Sequence, residues 1–335
     1  MINLYFYVNN LNKIIKEVFK LPRTSRVKRE TAIYHIMARS ISEVQLFKSI
    51  DDKNKFLSYI KKYKNIFSFR VYAFCIMDNH IHLLIDSNGA DISKFMHSIN
   101  QCYAQYYNRK YNRNGHVFGD RFKSKIADSD SSIICMSAYI HNNPKDIKGF
   151  KNCVENYKYS SLGIYLGRHK DNFNLIDKDF ILQYFNLDPI LAVNHYFKFI
   201  KSRSKIDITD AAINEVEALN TSTDYKTYKE PLIRNVDPQQ IIEFVSDSYN
   251  FKAFDINIKY NHKSSEFRAI CVFLMRNLCD LNYSQICSIL SNLTLSSVSQ
   301  LCSKGYNIVH NTIKYNNIID KFIGSTDYHA KTEYS

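Results

Sequence analysis

A chain of 335 residues is long enough for two or three domains, each with its own core. Its 45 Lys and Arg against 32 Asp and Glu leave a formal charge of +13, which suits a polyanion: nucleic acid or an anionic membrane surface. The longest apolar runs fall far short of a membrane span and no basic amphipathic helix stands out, so nucleic acid is favoured and no membrane partner is expected.

Residues 21–170 read as an α+β domain. Ala32 to Ala38 is a strand, and Asp51 to Tyr63 has helical spacing with Phe56, Leu57 and Ile60 inward. Phe67 to Met77 and His80 to Asp86 form a hairpin across Asp78-Asn79, a pair suited to a tight turn. A helix over Asp91 to Tyr111 ends in the turn Asn112-Arg113-Asn114-Gly115. Val117 to Ala127 is a further strand, and Asp130 to Asn143 a helix capped by Asp128 or Asp130. This order predicts one antiparallel sheet with helices packed on it.

Residues 171–203 read as a helical extension, with Pro189 at a helix start after Asp188. Residues 204–235 are polar and weakly periodic, a linker with room for one short helix. Residues 236–325 form a second, all-α unit. Within it Glu266 to Cys279 is strongly periodic, Asn282 to Leu290 is a short helix, and Thr294 to Tyr306 follows after the turn Ser291-Asn292-Leu293. Two short helices joined by a tight turn make a helix-turn-helix pattern.

Chemistry concentrates in two motifs. In His80-Ile81-His82 the period of two points both imidazoles to one strand face and Ile81, Leu83 and Ile85 to the other, a placement suited to sharing a divalent cation. In Tyr139-Ile140-His141-Asn142-Asn143-Pro144, helical spacing aligns Tyr139 with Asn143 before Pro144 stops the helix, while His141 faces elsewhere. Arg121, Lys123 and Lys125 lie on one face of a strand, and Arg23, Arg26, Lys28 and Arg29 form a basic arm. Each feature also has a bland reading. Two histidines can meet by chance among eleven, Tyr139 is one of 25 tyrosines, and Asn143 before proline is a common cap. The cationic strand equally suits a solvated edge, and the arm a solvated segment. The eight cysteines show no C-x-x-C pair and read as reduced core thiols. With no leader, apolar run and cleavage site in the first twenty residues, a cytoplasmic location is expected.

Taken together these segments resemble the single-tyrosine HUH transposases, and within them the REP-associated tyrosine transposases. The matching stretches include 21–26, Tyr34-His35-Ile36-Met37-Ala38-Arg39, 73–84, 115–122, 139–144 and Tyr159-Ser160-Ser161; residues 1–20 fall outside as an extension. The resemblance implies an HUH domain of ferredoxin-like or RRM-like form, with His80, His82 and Asn143 as ligands of Mg2+ or Mn2+ and Tyr139 as nucleophile. It implies a 5′-phosphotyrosine and a free 3′-hydroxyl, so that single-stranded DNA beside a hairpin is cut and rejoined without ATP. Arg23 and Arg26 then belong to hairpin recognition, and the protein acts as a monomer or homodimer. The carboxyl-terminal unit resembles the DNA-binding domain of the DnaA initiator. It departs from that pattern by placing Thr294-Leu295 where an Asp-His pair opens the recognition helix. Ser296, Ser297, Ser299, Gln300 and Lys304 are its candidate contacts to duplex DNA. The rival readings are a DNA-binding regulator without catalysis, a replication or relaxase-type nicking initiator, and a metal-dependent nuclease that uses water.

Overall fold

Alternation in the strands sets the architecture. The computed structural model describes residues 32–41, 44–127, 129–203, 234–258, 262–290 and 293–325. Strands β1 (Ile33–Arg39), β2 (Arg70–Ile76), β3 (His80–Asp86) and β4 (Lys123–Ala127) make an antiparallel sheet in the order β2-β3-β1-β4. Tyr34, Ile36 and Ala38 of β1 share one face with Ile81, Leu83 and Ile85 of β3, all buried. Helices α1 (Ile50–Phe67) and α2 (Ile92–Lys110) pack on each other and cover that apolar face. The opposite face carries His35, Met37 and Arg39 beside His80, His82 and Leu84, and is crossed by α3 (Asp130–Asn142). The expected α+β class with an antiparallel sheet and an all-helical carboxyl-terminal region is therefore the observed one.

Several boundaries differ from expectation for local reasons. Helix α1 runs on to Phe67 and is stopped by Ser68 in the left-handed region, so β2 starts only at Arg70. The expected strand from Val117 begins at Lys123 instead. Upstream, Phe118 bridges Ser40 and the Gly119 N–H donates to the Arg39 carbonyl, so this stretch extends β1's end and leaves Arg121 exposed before β4. The cap of α3 is Ser129, whose hydroxyl accepts from the Ser132 N–H; Asp130 sits inside the first turn and accepts from the Tyr184 hydroxyl. Asp128 lies outside the described residues.

Beyond α3 come α4 (Leu162–Tyr165), α5 (Asp179–Leu182) and α6 (Pro189–Ser202), so the expected helical stretch 171–203 is broken before Asp179. Helix α6 locks onto α3. The Tyr196 hydroxyl donates to Ser137 Oγ at 3.0 Å and meets His141 Nδ1 at 2.7 Å, and Asn142 Nδ2 donates to the Ile200 carbonyl at 2.9 Å. His141 is fully buried, held on its other side by Ser161, and burial lowers its pKa to about 3. It serves the packing of α3.

The carboxyl-terminal unit contains α7 (Pro238–Tyr249), α8 (His262–Leu278), α9 (Tyr283–Ile289), α10 (Leu295–Asn311) and α11 (Ile318–Ser325). Helix α8 is its buried axis, and α10 lies along it. Residues 204–233 of the expected linker lie outside the described residues, but Arg234 is firmly placed. Its guanidinium donates to the carbonyls of Phe67, Asn88 and Asn277. Phe67 ends α1 and Asn277 is in the last turn of α8, so one cation joins two negative helix ends. Asn277 Nδ2 returns to the Ile66 carbonyl at 2.9 Å, and Lys94 pairs with Asp280 at 2.7 Å. Among the described residues no helix is long and apolar enough to cross a membrane.

Candidate functional site

The turn Asp78-Asn79 carries the first histidine and is held from several sides. The Met77 N–H reaches the His80 carbonyl at 2.9 Å, the Phe47 N–H the Asp78 carbonyl at 2.9 Å, and the Asp78 carboxylate the Lys53 ammonium at 2.8 Å. His80 and His82 then lie on the same sheet face, as their spacing predicts, with ring centroids 5.1 Å apart. Helix α3 lays Tyr139 edge-on against His82 and His35: its ring centroid is 5.7 Å from that of His82 and 5.8 Å from that of His35. Tyr139 is half-buried.

His35 is the member that spacing alone did not single out. It stands opposite Leu84 in the β1–β3 register, next to His82, and its Nε2 lies 2.9 Å from His82 Nδ1 with the rings 16° from coplanar. Burial, then the positive charge of Lys125, lowers the His35 pKa to about 4; burial, then His35 and His80, lowers that of His82 to about 2. Both rings are neutral at pH 7, and each neutral ring has one N–H and one lone pair. His80, whose pKa is lowered by burial and by Arg39 against Asp146, has its Nδ1 2.6 Å from Asn79 Oδ1. An amide oxygen only accepts, so His80 donates from Nδ1 and keeps its lone pair on Nε2. In the tautomer where His82 donates to His35, it too presents Nε2.

A pair of imidazole nitrogens facing outward from one sheet face is of the kind that suits a divalent cation. Metal-binding imidazoles use the second nitrogen to donate to an orienting acceptor, as His80 does toward Asn79 and His82 does in that tautomer. Asn143, buried at the end of α3, donates from Nδ2 to the Tyr139 carbonyl at 2.9 Å, which leaves Oδ1 as its acceptor. Among the described residues no group of three or more His, Cys, Asp or Glu is arranged to hold a metal. His35 is no third ligand, because its Nε2 is spent on His82.

Lys123 and Lys125 stand opposite Met37 and His35 in the β1–β4 register, exposed on the histidine face. Arg23 and Arg26 lie outside the described residues. In the carboxyl-terminal unit, Thr294 caps α10 and its Oγ1 is 2.9 Å from Ser297 Oγ. Ser296 and Gln300 are exposed, and Lys304 donates to Ser265 Oγ at 2.7 Å. Ser299, Gln300 and Lys304 border an open groove of about 580 Å³ along α10.

Residues 28–143 match the family model described as transposase IS200-like. No curated protein matches the chain. Among solved structures, that of a REP-associated tyrosine transposase bound to a REP hairpin aligns with a TM-score of 0.38 at 15% identity, over 44% of this chain and 87% of that one. The matched stretch, about a third of the chain, is similar to the IS200-like transposases and contains His80, His82, Tyr139 and Asn143.

Proposed function

We propose that this DNA transposase cleaves and rejoins single-stranded DNA beside a hairpin, with Tyr139 as nucleophile. The observation that carries the reading is the packing of the Tyr139 ring against two neutral, oriented imidazoles on one sheet face. His80, His82 and Asn143 would hold Mg2+ or Mn2+. When bound, the ion supplies charge neutralisation and polarisation of the scissile phosphate. Lys123 and Lys125 hold flanking phosphates along the β4 edge. The Tyr139 oxygen bonds to phosphorus and loses its proton to solvent, while the bond from phosphorus to O3′ breaks and O3′ takes a proton. One phosphodiester replaces another, so the 3′-hydroxyl of a second strand can reverse the step without an energy source. The exposed amino-terminal end of α10, with Ser296 and Gln300, adds contacts to duplex DNA.

The test uses labelled single-stranded hairpin oligonucleotides from the repeats flanking the gene, incubated with full-length protein and Mn2+ or Mg2+. Label should migrate with protein on a denaturing gel, and Tyr139→Phe should abolish the adduct. Cleavage that persists undiminished in Tyr139→Phe would contradict the reading and point to water as nucleophile.

A further inference from the structure

We propose that a groove opening beside His80 seats the nucleotide on the 5′ side of the cut, the one released with the free 3′-hydroxyl. The inference rests on the strand-transfer reading above and extends it to substrate specificity. The groove encloses about 670 Å³, within the roughly 300–1,000 Å³ usual for small-ligand sites. His80 lines it, whereas Tyr139, His82 and His35 do not.

Sheet register gives the direction. His80 faces Arg39 at one end of the β1–β3 pair, His82 faces Met37 one step further in, and His35 faces Leu84 beyond that. Tyr139 packs over the His82 and His35 end, while the groove starts at the His80 and Arg39 end. A phosphate over the two HUH histidines therefore has the tyrosine on one side and the groove on the other. Displacement at phosphorus places the leaving oxygen opposite the attacking one. As the Tyr139 oxygen bonds to phosphorus, the bond to O3′ breaks toward the groove; the tyrosine proton passes to solvent and O3′ gains one.

The lining suits a nucleotide. Buried Val44 and Met77 give an apolar floor for a base, and exposed Gln45 can both donate to and accept from a base edge. Exposed Arg39 and Lys148 supply positive charge for the next phosphate upstream. Asp146, on the same rim, disfavours a second phosphate there and accepts from an exocyclic amine. Asp78 and Asn79 are already committed to Lys53 and His80, and stiffen the wall.

The experiment takes an oligonucleotide on which the wild-type protein forms its adduct, with the cut mapped. An abasic position is placed immediately 5′ of the cut, or immediately 3′ of it. The 5′ lesion should slow adduct formation about tenfold or more, the loss expected for one or two hydrogen bonds, and the 3′ lesion should slow it far less. The variant Gln45→Ala changes one exposed side chain only. It should slow reaction on intact DNA and add little on the 5′-abasic strand, because both remove the same contact to the base. Equal rates on intact and 5′-abasic DNA, or a variant defect that adds in full to the lesion, would overturn the groove assignment while leaving Tyr139 chemistry intact. No adduct on any strand would contradict strand transfer itself, and the groove assignment with it.

Discussion

The orientation of His82 depends on one neighbour. With His35 Nε2 2.9 Å away, the imidazole is held in plane and its second nitrogen is turned outward. His35→Ala is therefore expected to weaken Mn2+ binding about tenfold to a hundredfold, the usual cost of losing an orienting partner, while the protein stays folded. Titration with Mn2+ followed by the magnetic resonance of the free ion checks this, and an unchanged affinity would contradict the positioning role. The sequence made His80 and His82 legible because a strand's period of two is a local signal. His35 lies 47 residues before His82, and only the register of β1 against β3 brings them together. A clue was present all the same: in Tyr34-His35-Ile36 a polar ring alternates with buried apolar neighbours.

At the scale of elements, two helices have their places fixed by single residues. Helix α3 is pinned by Tyr196, whose hydroxyl serves both Ser137 and His141 in a fully buried setting. Tyr196→Phe leaves those groups short of a partner and should cost about 1–3 kcal/mol in urea unfolding; a loss below measurement would show that the bonds are easily replaced. Helix α10 approaches α8 through Gly305, where a methyl group would overlap the Ala269 carbonyl and the Phe273 side chain. Gly305→Ala gains helix propensity but must push the helices apart, with a net cost of about 1–3 kcal/mol measurable by the same method. Stabilisation instead would mean that the contact yields freely. Periodicity revealed that both helices exist. It could not reveal the cap of α3, because Ser129 and Asp130 are equally good capping residues and only the backbone conformation chooses between them.

Across the whole molecule, the two units are joined by specific polar contacts instead of a loose tether. Arg234 stands among the termini of α1 and α8, Asn277 bonds back to Ile66 and Ser68, and Lys94 meets Asp280. Arg234→Ala removes a cation that serves three carbonyls, so heat unfolding should split into two transitions, with the carboxyl-terminal unit released first. Calorimetry that still shows one unshifted transition would contradict the coupling. None of this was legible in residues 204–235, whose polar, weakly periodic composition reads as linker. An arginine's partners here are backbone carbonyls, which leave no mark in sequence. The consequence is geometric: a fixed joint sets the distance between Tyr139 and the exposed start of α10.

One tyrosine among 25, Tyr139, is the proposed carrier of the DNA. The adduct formed by full-length protein should be digested with nuclease and protease, and the modified peptide sequenced by mass spectrometry. A 5′-linked nucleotide on Tyr139, together with a released strand that a polymerase extends from its 3′-hydroxyl, is the predicted result. A nucleotide on another tyrosine, or cut strands with free 5′-phosphates and no modified peptide, would contradict the account.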